Sequence, residues 1–202
     1  MSPRLERCAE LRELEPERLR GIWLREHKGY DDVHAELGCG KGRFTAETAL
    51  GAPKILFAAI ERSADAQITA MERVADMRLR NVRFITRDAR DAALFFGEGE
   101  LGRIYINFCD PWPSARHAKR RLTAPAFLEM YKCAIKPGGE IHFKTDNSDL
   151  FDYSLRRFEA CGFELADVTR DLHAAGANGV MTDYEEKFRA QGAKICRCVA
   201  RR

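Results

Sequence analysis

From Val33 onward, hydrophobic residues fall into short dense runs separated by stretches with helical spacing. The runs at 33–37 (VHAEL), 54–60 (KILFAAI), 82–86 (VRFIT), 103–108 (RIYINF), 140–145 (EIHFKT) and 163–168 (FELADV) are apolar, β-branched or aromatic and predict strands. Between them, Phe44–Leu50, Ser63–Arg80, Asp88–Phe96, Thr123–Ile135 and Ser148–Cys161 predict helices. In the last of these Phe151, Leu155 and Phe158 stand at i, i+4 and i+7, a single buried stripe. The end of the chain, Ala193–Ala200, alternates as a strand after a short helix, which makes a seventh strand. Alternating β and α elements predict an α/β fold, doubly wound, with a mostly parallel seven-stranded sheet and helices on both faces. Ahead of this rhythm, Glu6–Glu15 reads as a helix that Pro16 breaks before Trp23. The expected organisation is therefore a helical extension over 1–30 and one domain over 31–202.

Composition narrows the class of protein. The chain has 202 residues, 45% hydrophobic and 32% charged, enough for one core. A net charge of +3 is too small to mark a nucleic-acid binder by itself, so any electrostatic footprint must be local. No apolar run approaches a membrane span, and the first 20 residues are charged throughout, so a cytoplasmic protein with no membrane contact is expected. The seven cysteines, at 8, 39, 109, 133, 161, 196 and 198, lack metal-ligand spacing. Cys196 and Cys198 fall on one face of a strand, and buried free thiols with no metal are the expectation.

The chemistry collects where strands end. After the first strand comes ELGCGKG, with Glu36 followed by Gly38, Gly40 and Gly42. Glycines at such a turn allow positive φ and close approach of backbone N–H groups to a ligand. The third glycine comes one residue too early for the GxGxxG dinucleotide fingerprint, which disfavours a nicotinamide or flavin oxidoreductase. Glu61 ends the second strand about 20 residues on, where a carboxylate can accept both ribose hydroxyls. Asp88 and Asp110 follow the third and fourth strands. Singly, such residues are more often helix caps or solvated turn residues; together they outline a nucleoside-binding edge. Asp110 also opens the loop DPWPSARHAKRR, in which Arg116, His117, Lys119, Arg120 and Arg121 crowd behind Trp112. A solvated face is the usual meaning of a basic run, but the adjoining aspartate and strand end favour a site on folded RNA.

These motifs, with KTD at Lys144–Asp146 and TDYE at Thr182–Glu185, resemble the tRNA (guanine-N7-)-methyltransferase family of class I, Rossmann-like methyltransferases from about Trp23 onward. The resemblance implies S-adenosyl-L-methionine as cofactor, tRNA as partner, and methylation of the variable-loop guanine at tRNA position 46 to 7-methylguanosine. It implies Glu36 at the methionine end of the cofactor, Gly38 and Gly40 beneath it, Glu61 at the ribose and Asp88 at the adenine. Asp110 becomes the active-site carboxylate beside the cofactor. Ser114, Asp146, Thr182 and Glu185 become contacts to the target nucleotide, and the five basic residues of the loop contacts to RNA. Two of those positions have a local reading as well: Thr182 and Glu185 spell a capping box, and Asp146 a turn or N-cap. The chain departs from the family at Cys109, where a proline is usual, and at Ser114, where a lysine is usual; Arg116 is two residues away. No obligate protein partner is implied, and a monomer or homodimer is expected. The non-enzyme alternative is a tRNA-binding subunit with a decayed site, against which stand the five acidic residues, all present.

Overall fold

The computed structural model describes residues 3–174 and 176–202. Residues 1 and 2, part of the expected N-terminal extension, and residue 175 lie outside the described residues. In chain order the elements are α1 (Pro3–Arg7), β1 (Arg12–Glu13), α2 (Trp23–Glu26), β2 (Asp32–Leu37), α3 (Arg43–Gly51), β3 (Ile55–Ile60), α4 (Ala64–Asp76) and β4 (Val82–Ile85). There follow α5 (Ala92–Phe95), β5 (Leu101–Asn107), α6 (Pro125–Ala134), β6 (Ile135–Thr145), α7 (Ser148–Ala160), β7 (Glu164–Thr169), α8 (Asp183–Ala190) and β8 (Cys196–Arg201).

One sheet runs in the order β1-β4-β3-β2-β5-β6-β8-β7. Its first six strands are parallel, and β8 pairs antiparallel with β6 and β7. The sheet thus has eight strands where seven were expected. The additional one, β1, lies in the stretch expected to be a helix over Glu6–Glu15. There α1 and a 3-10 turn give way at Arg12 to extended backbone pairing with Phe84 and Ile85. Covering the edge of β4 satisfies backbone groups that a short free helix would leave exposed. The rest of the first 30 residues is pinned to the domain as well. Trp23 is wholly buried, its indole N–H donates to the Phe95 carbonyl at 2.8 Å, and the Glu100 carboxylate accepts from the Gly21 and Trp23 N–H groups.

Two apolar layers flank the sheet. One face packs Ile104, Ile106, Ile141, Phe143, Cys196 and Cys198 under α5, α6 and α7. The CxC pair is therefore core, and all seven cysteines are free thiols. The other face packs Phe57, Phe84 and Tyr105 under α3 and α4 through Phe44, Ala70 and Met71. Chain order reverses direction between β2 and β5, which are neighbours, so their carboxyl ends open the crevice in which open α/β sheets bind ligands.

The turn between β2 and α3 depends on Gly42. Its φ is +74°, and a Cβ there would lie 2.5 Å from the Ala70 Cβ and 2.9 Å from the Ala70 Cα of α4. Gly42→Ala combines left-handed strain with overpacking, and denaturant unfolding should show a loss of about 2–4 kcal/mol. Pairing it with Ala70→Gly removes the Cβ contact but neither the close approach to the residue 70 Cα nor the strain, so only part returns. An unchanged unfolding midpoint in Gly42→Ala contradicts this packing.

Candidate active site

A cavity of about 840 Å³ opens at the carboxyl ends of β2, β3, β4 and β5. Glu36, Gly38, Gly40, Glu61, Asp88, Asp110, Trp112, Arg120 and Thr182 all line it. The strand ends thus bring four of the expected acidic residues, Glu36, Glu61, Asp88 and Asp110, into one cavity.

Glu36 is at the bottom, 2% exposed. Its carboxylate accepts from the Thr45 hydroxyl on α3 and, at 3.1 Å, from the Asn107 Nδ2 at the end of β5. Burial pushes its carboxyl up to about 7; those two hydrogen bonds and the Lys144 charge pull the other way without cancelling it. A buried carboxylate so poised favours a cationic ligand group, which would supply the missing counter-charge. Asn107 Oδ1 has no partner.

Glu61 holds the glycine turn. Its Oε2 accepts from the Gly40 N–H at 3.0 Å and its Oε1 from the Ser63 N–H at 2.8 Å. Gly38 and Gly40 have φ of +85° and +54°, a backbone that favours glycine. Asp88 caps the 3-10 turn that begins at Ala89, accepting from the Arg90 N–H, and takes a two-pronged contact from the Arg90 guanidinium at 2.9 and 2.6 Å. That contact holds the Asp88 carboxyl below its usual value. Asp88 is therefore a cap and a cavity residue at once.

Asp110 stands at the mouth, largely exposed, with the Arg62 guanidinium 3.8 Å from its carboxylate. Its loop is tightly built. Phe108 and Trp112 both have positive φ, +53° and +42°, which costs a non-glycine residue of order 1–3 kcal/mol each and persists only where surroundings enforce it. Arg121 supplies part of that enforcement. Its guanidinium donates to the Pro111 and Trp112 carbonyls at 2.9–3.3 Å and lies 4.3 Å over the Tyr153 ring. Expected at RNA, Arg121 is thus occupied in holding the loop. Arg120 lies 5.0 Å over Trp112, and His117 meets the same ring edge-on. Arg116 and Lys119 are exposed on the 3-10 turn Ala115–Arg120, and Ser114 precedes it, exposed and outside the cavity lining. Burial and the Asp110 carboxylate push the Cys109 thiol up to about 12, so it is protonated at neutral pH.

Three residues expected at the target nucleotide separate here. Thr182 lines the cavity and Asp146 is exposed just past β6. Glu185, by contrast, is wholly buried. Its carboxylate faces Lys144 at 3.1 Å and His173 at 2.7 Å, and with Thr182 it closes the capping box of α8. Burying a carboxylate requires full partnering, and Lys144 and His173, which the sequence reading gave no role, provide it.

The arrangement has matches among known proteins. A family model described as a putative methyltransferase matches residues 31–198. The tRNA (guanine-N(7)-)-methyltransferase of Geobacillus kaustophilus is 45% identical over 188 residues, 92% of this chain and 86% of that one. The enzyme of the same name from Halalkalibacterium halodurans is 44% identical over 187 residues, 92% and 85% of the two chains. Among solved structures, the 16S rRNA methyltransferase KamB superposes with a TM-score of 0.66 at 14% identity, covering 90% of this chain and 94% of that one. A precorrin-6y C5,15-methyltransferase from Geobacter metallireducens does so at 0.60 and 13%, covering 98% and 87%. Those two share the class I methyltransferase fold. The sequence relatives extend over nearly the whole chain, glycine turn and DPW loop included, and on that ground the protein belongs to the tRNA (guanine-N7)-methyltransferase family.

Proposed function

We propose that the protein transfers a methyl group from S-adenosyl-L-methionine to N7 of the variable-loop guanine at position 46 of tRNA. The observation that carries this reading is the one cavity that Glu36, Glu61, Asp88 and Asp110 line together, with Trp112 and Arg120 of the basic loop. The residues fit the cofactor. Glu36 is a buried carboxylate suited to the methionine ammonium, Glu61 retains lone pairs for the ribose hydroxyls, and Asp88 borders the space left for adenine. When bound, the cofactor supplies a methyl group on an electron-poor sulfonium.

The protein's own task is then positional and electrostatic. Guanine N7 carries an in-plane lone pair, so no general base is needed. Asp110 at the cavity mouth, with Thr182 on the same lining and Asp146 just past the end of β6, would orient the base through its N1 and N2 groups. As positive charge builds on the purine, a fixed carboxylate beside it becomes more favourable, which lowers the barrier. Holding both reactants in line removes the entropic part of that barrier.

Arg116 and Lys119 would contact the tRNA backbone. Replacing both with Ala should weaken tRNA binding and lessen the slope of log affinity against log salt by about 2. Calorimetric affinity for the cofactor should stay as it was. An unchanged salt slope would remove these two residues from the RNA contact. The reading as a whole is tested by incubating the protein with unmodified tRNA and methyl-labelled S-adenosyl-L-methionine: label should enter the RNA, and its absence with folded protein sinks the proposal.

A further inference from the structure

Lys144, Glu185 and His173 form a polar cluster outside the lining of the large cavity, with Lys144 bordering a smaller one of about 220 Å³. Their side chains are 10%, 0% and 7% exposed. Lys144, near the carboxyl end of β6, donates to both oxygens of Glu185 at 3.1 and 3.5 Å and to the Val180 carbonyl at 2.9 Å; its ammonium also lies 5.5 Å over the Phe44 ring. His173 Nδ1 accepts from the Asn178 N–H at 3.2 Å, which leaves Nε2 to donate to Glu185 at 2.7 Å. The Thr182 N–H approaches the second Glu185 oxygen at 3.4 Å. Apart from the Phe44 contact, which reaches α3, each of these joins the connection between β7 and α8, or α8 itself, to β6 or to another part of that connection.

A buried ion pair is weak evidence for stability, because apolar replacements of similar volume often do as well. Its strength is geometric: two largely buried charges can satisfy each other in few arrangements. The neighbours fixed by this cluster are Thr182, Asp183, Tyr184 and Lys187, which line the same cavity as Asp110. Arg43 with Glu186, and Arg73 with Asp183 at 3.5 Å, tie the same helix to α3 and α4 from outside.

We infer that Lys144, Glu185 and His173 are positioning residues for methyl transfer, locking the Thr182–Lys187 wall onto the carboxyl end of β6 and acting through that wall without touching either reactant. The inference rests on the tRNA methyltransferase reading and replaces, for Glu185, a direct contact with the target nucleotide.

The test uses the full chain at about pH 8.5, above the value of about 7 to which burial raises the Glu36 carboxyl in the parent. Lys144→Met alone strands a buried carboxylate, so the deciding variant is Lys144→Met with Glu185→Gln, which removes both charges and keeps an acceptor oxygen for the His173 N–H. That variant should melt within a few degrees of the parent and bind S-adenosyl-L-methionine with about the same affinity. Its kcat with saturating tRNA should fall about 10- to 100-fold, the cost of a misplaced wall. A second pair guards against a variant that does not fold: His173→Ala should lose about tenfold in kcat, and His173→Gln, which keeps an N–H donor, should recover most of it. A folded double variant whose kcat stays within about threefold of the parent, or equal kcat for both His173 variants, overturns the inference. If the parent itself transfers no methyl group to tRNA, the underlying reading fails and the inference falls with it.

Discussion

Asp110→Ala should retain tRNA binding and lose about 10²- to 10³-fold in kcat, the range for removing one preorganised electrostatic contact at the reacting centre. Of the five acidic residues described as lining the cavity, Asp110 alone belongs to the loop that also carries Trp112 and the basic run, and its side chain is 65% exposed at the mouth. Its carboxylate therefore costs little desolvation in the free protein and becomes enclosed only when a base covers it. Charge that is solvated before binding and confined during reaction favours the transition state over the ground state. Arg62, 3.8 Å away, is the nearest cation and must give way as the base enters. Asp110→Asn keeps an acceptor without the charge and should fall between the parent and the alanine variant. Single-turnover rates with saturating tRNA and cofactor measure this directly. Near-normal turnover in Asp110→Ala would remove Asp110 from the chemistry.

Glu36→Gln should make the protein more stable and a poorer binder of cofactor. The carboxyl is raised from an ordinary 4.5 to about 7 by burial. Between those two values the folded protein holds a proton that the unfolded chain has released, so stability falls as pH rises through that window and this loss is complete above it. The mismatch amounts to about 1–3 kcal/mol at pH 8, after allowance for relaxation around the site. Glutamine carries no charge to desolvate, and the unpartnered Asn107 Oδ1 can turn to accept from its amide. Thermal melts of parent and variant should therefore coincide below pH 4.5 and separate above pH 7, with the variant higher by several degrees at roughly 2–4 °C per kcal/mol. Cofactor affinity should move the other way, weaker by about tenfold or more at pH 8 through loss of a charge-assisted contact. In the parent that affinity should decline as pH drops below about 7, and in the variant it should be flat over that range. A variant less stable than the parent at pH 8, with unchanged affinity, would refute the role given to Glu36.

How far the sequence could be read depended on whether the determining contacts were local. The glycine turn, the strand ends and the amphipathic α7 follow from neighbouring residues, and they stand where expected. The strand expected from Glu140 starts at Ile135, which pairs with Leu101; the Pro137-Gly138-Gly139 stretch that resembles a turn is an irregularity in the ladder, which resumes where Glu140 pairs with Arg103. At Gly139 a Cβ would lie 2.8 Å from the Gly102 carbonyl oxygen. In β1, two residues become a strand only because the edge of β4 is available, information that Arg12 and Glu13 do not carry. The site divides the same way. Glu36, Glu61, Asp88 and Asp110 were legible as residues ending strands. Nothing local distinguishes Arg121, spent on loop carbonyls, from Arg116 and Lys119, which are exposed. Likewise the capping box gave Glu185 its backbone role, but its burial arises from Lys144, 41 residues away, and no spacing rule reaches that far.

The central claim is the product itself, and nucleoside mass spectrometry reads it most directly. Unmodified tRNA treated with the protein and S-adenosyl-L-methionine should yield 7-methylguanosine on complete digestion. Fragment mapping should place it in the variable loop, and a transcript with that guanine changed to adenine should yield none. A different methylated nucleoside, or 7-methylguanosine that persists in the altered transcript, would contradict the account.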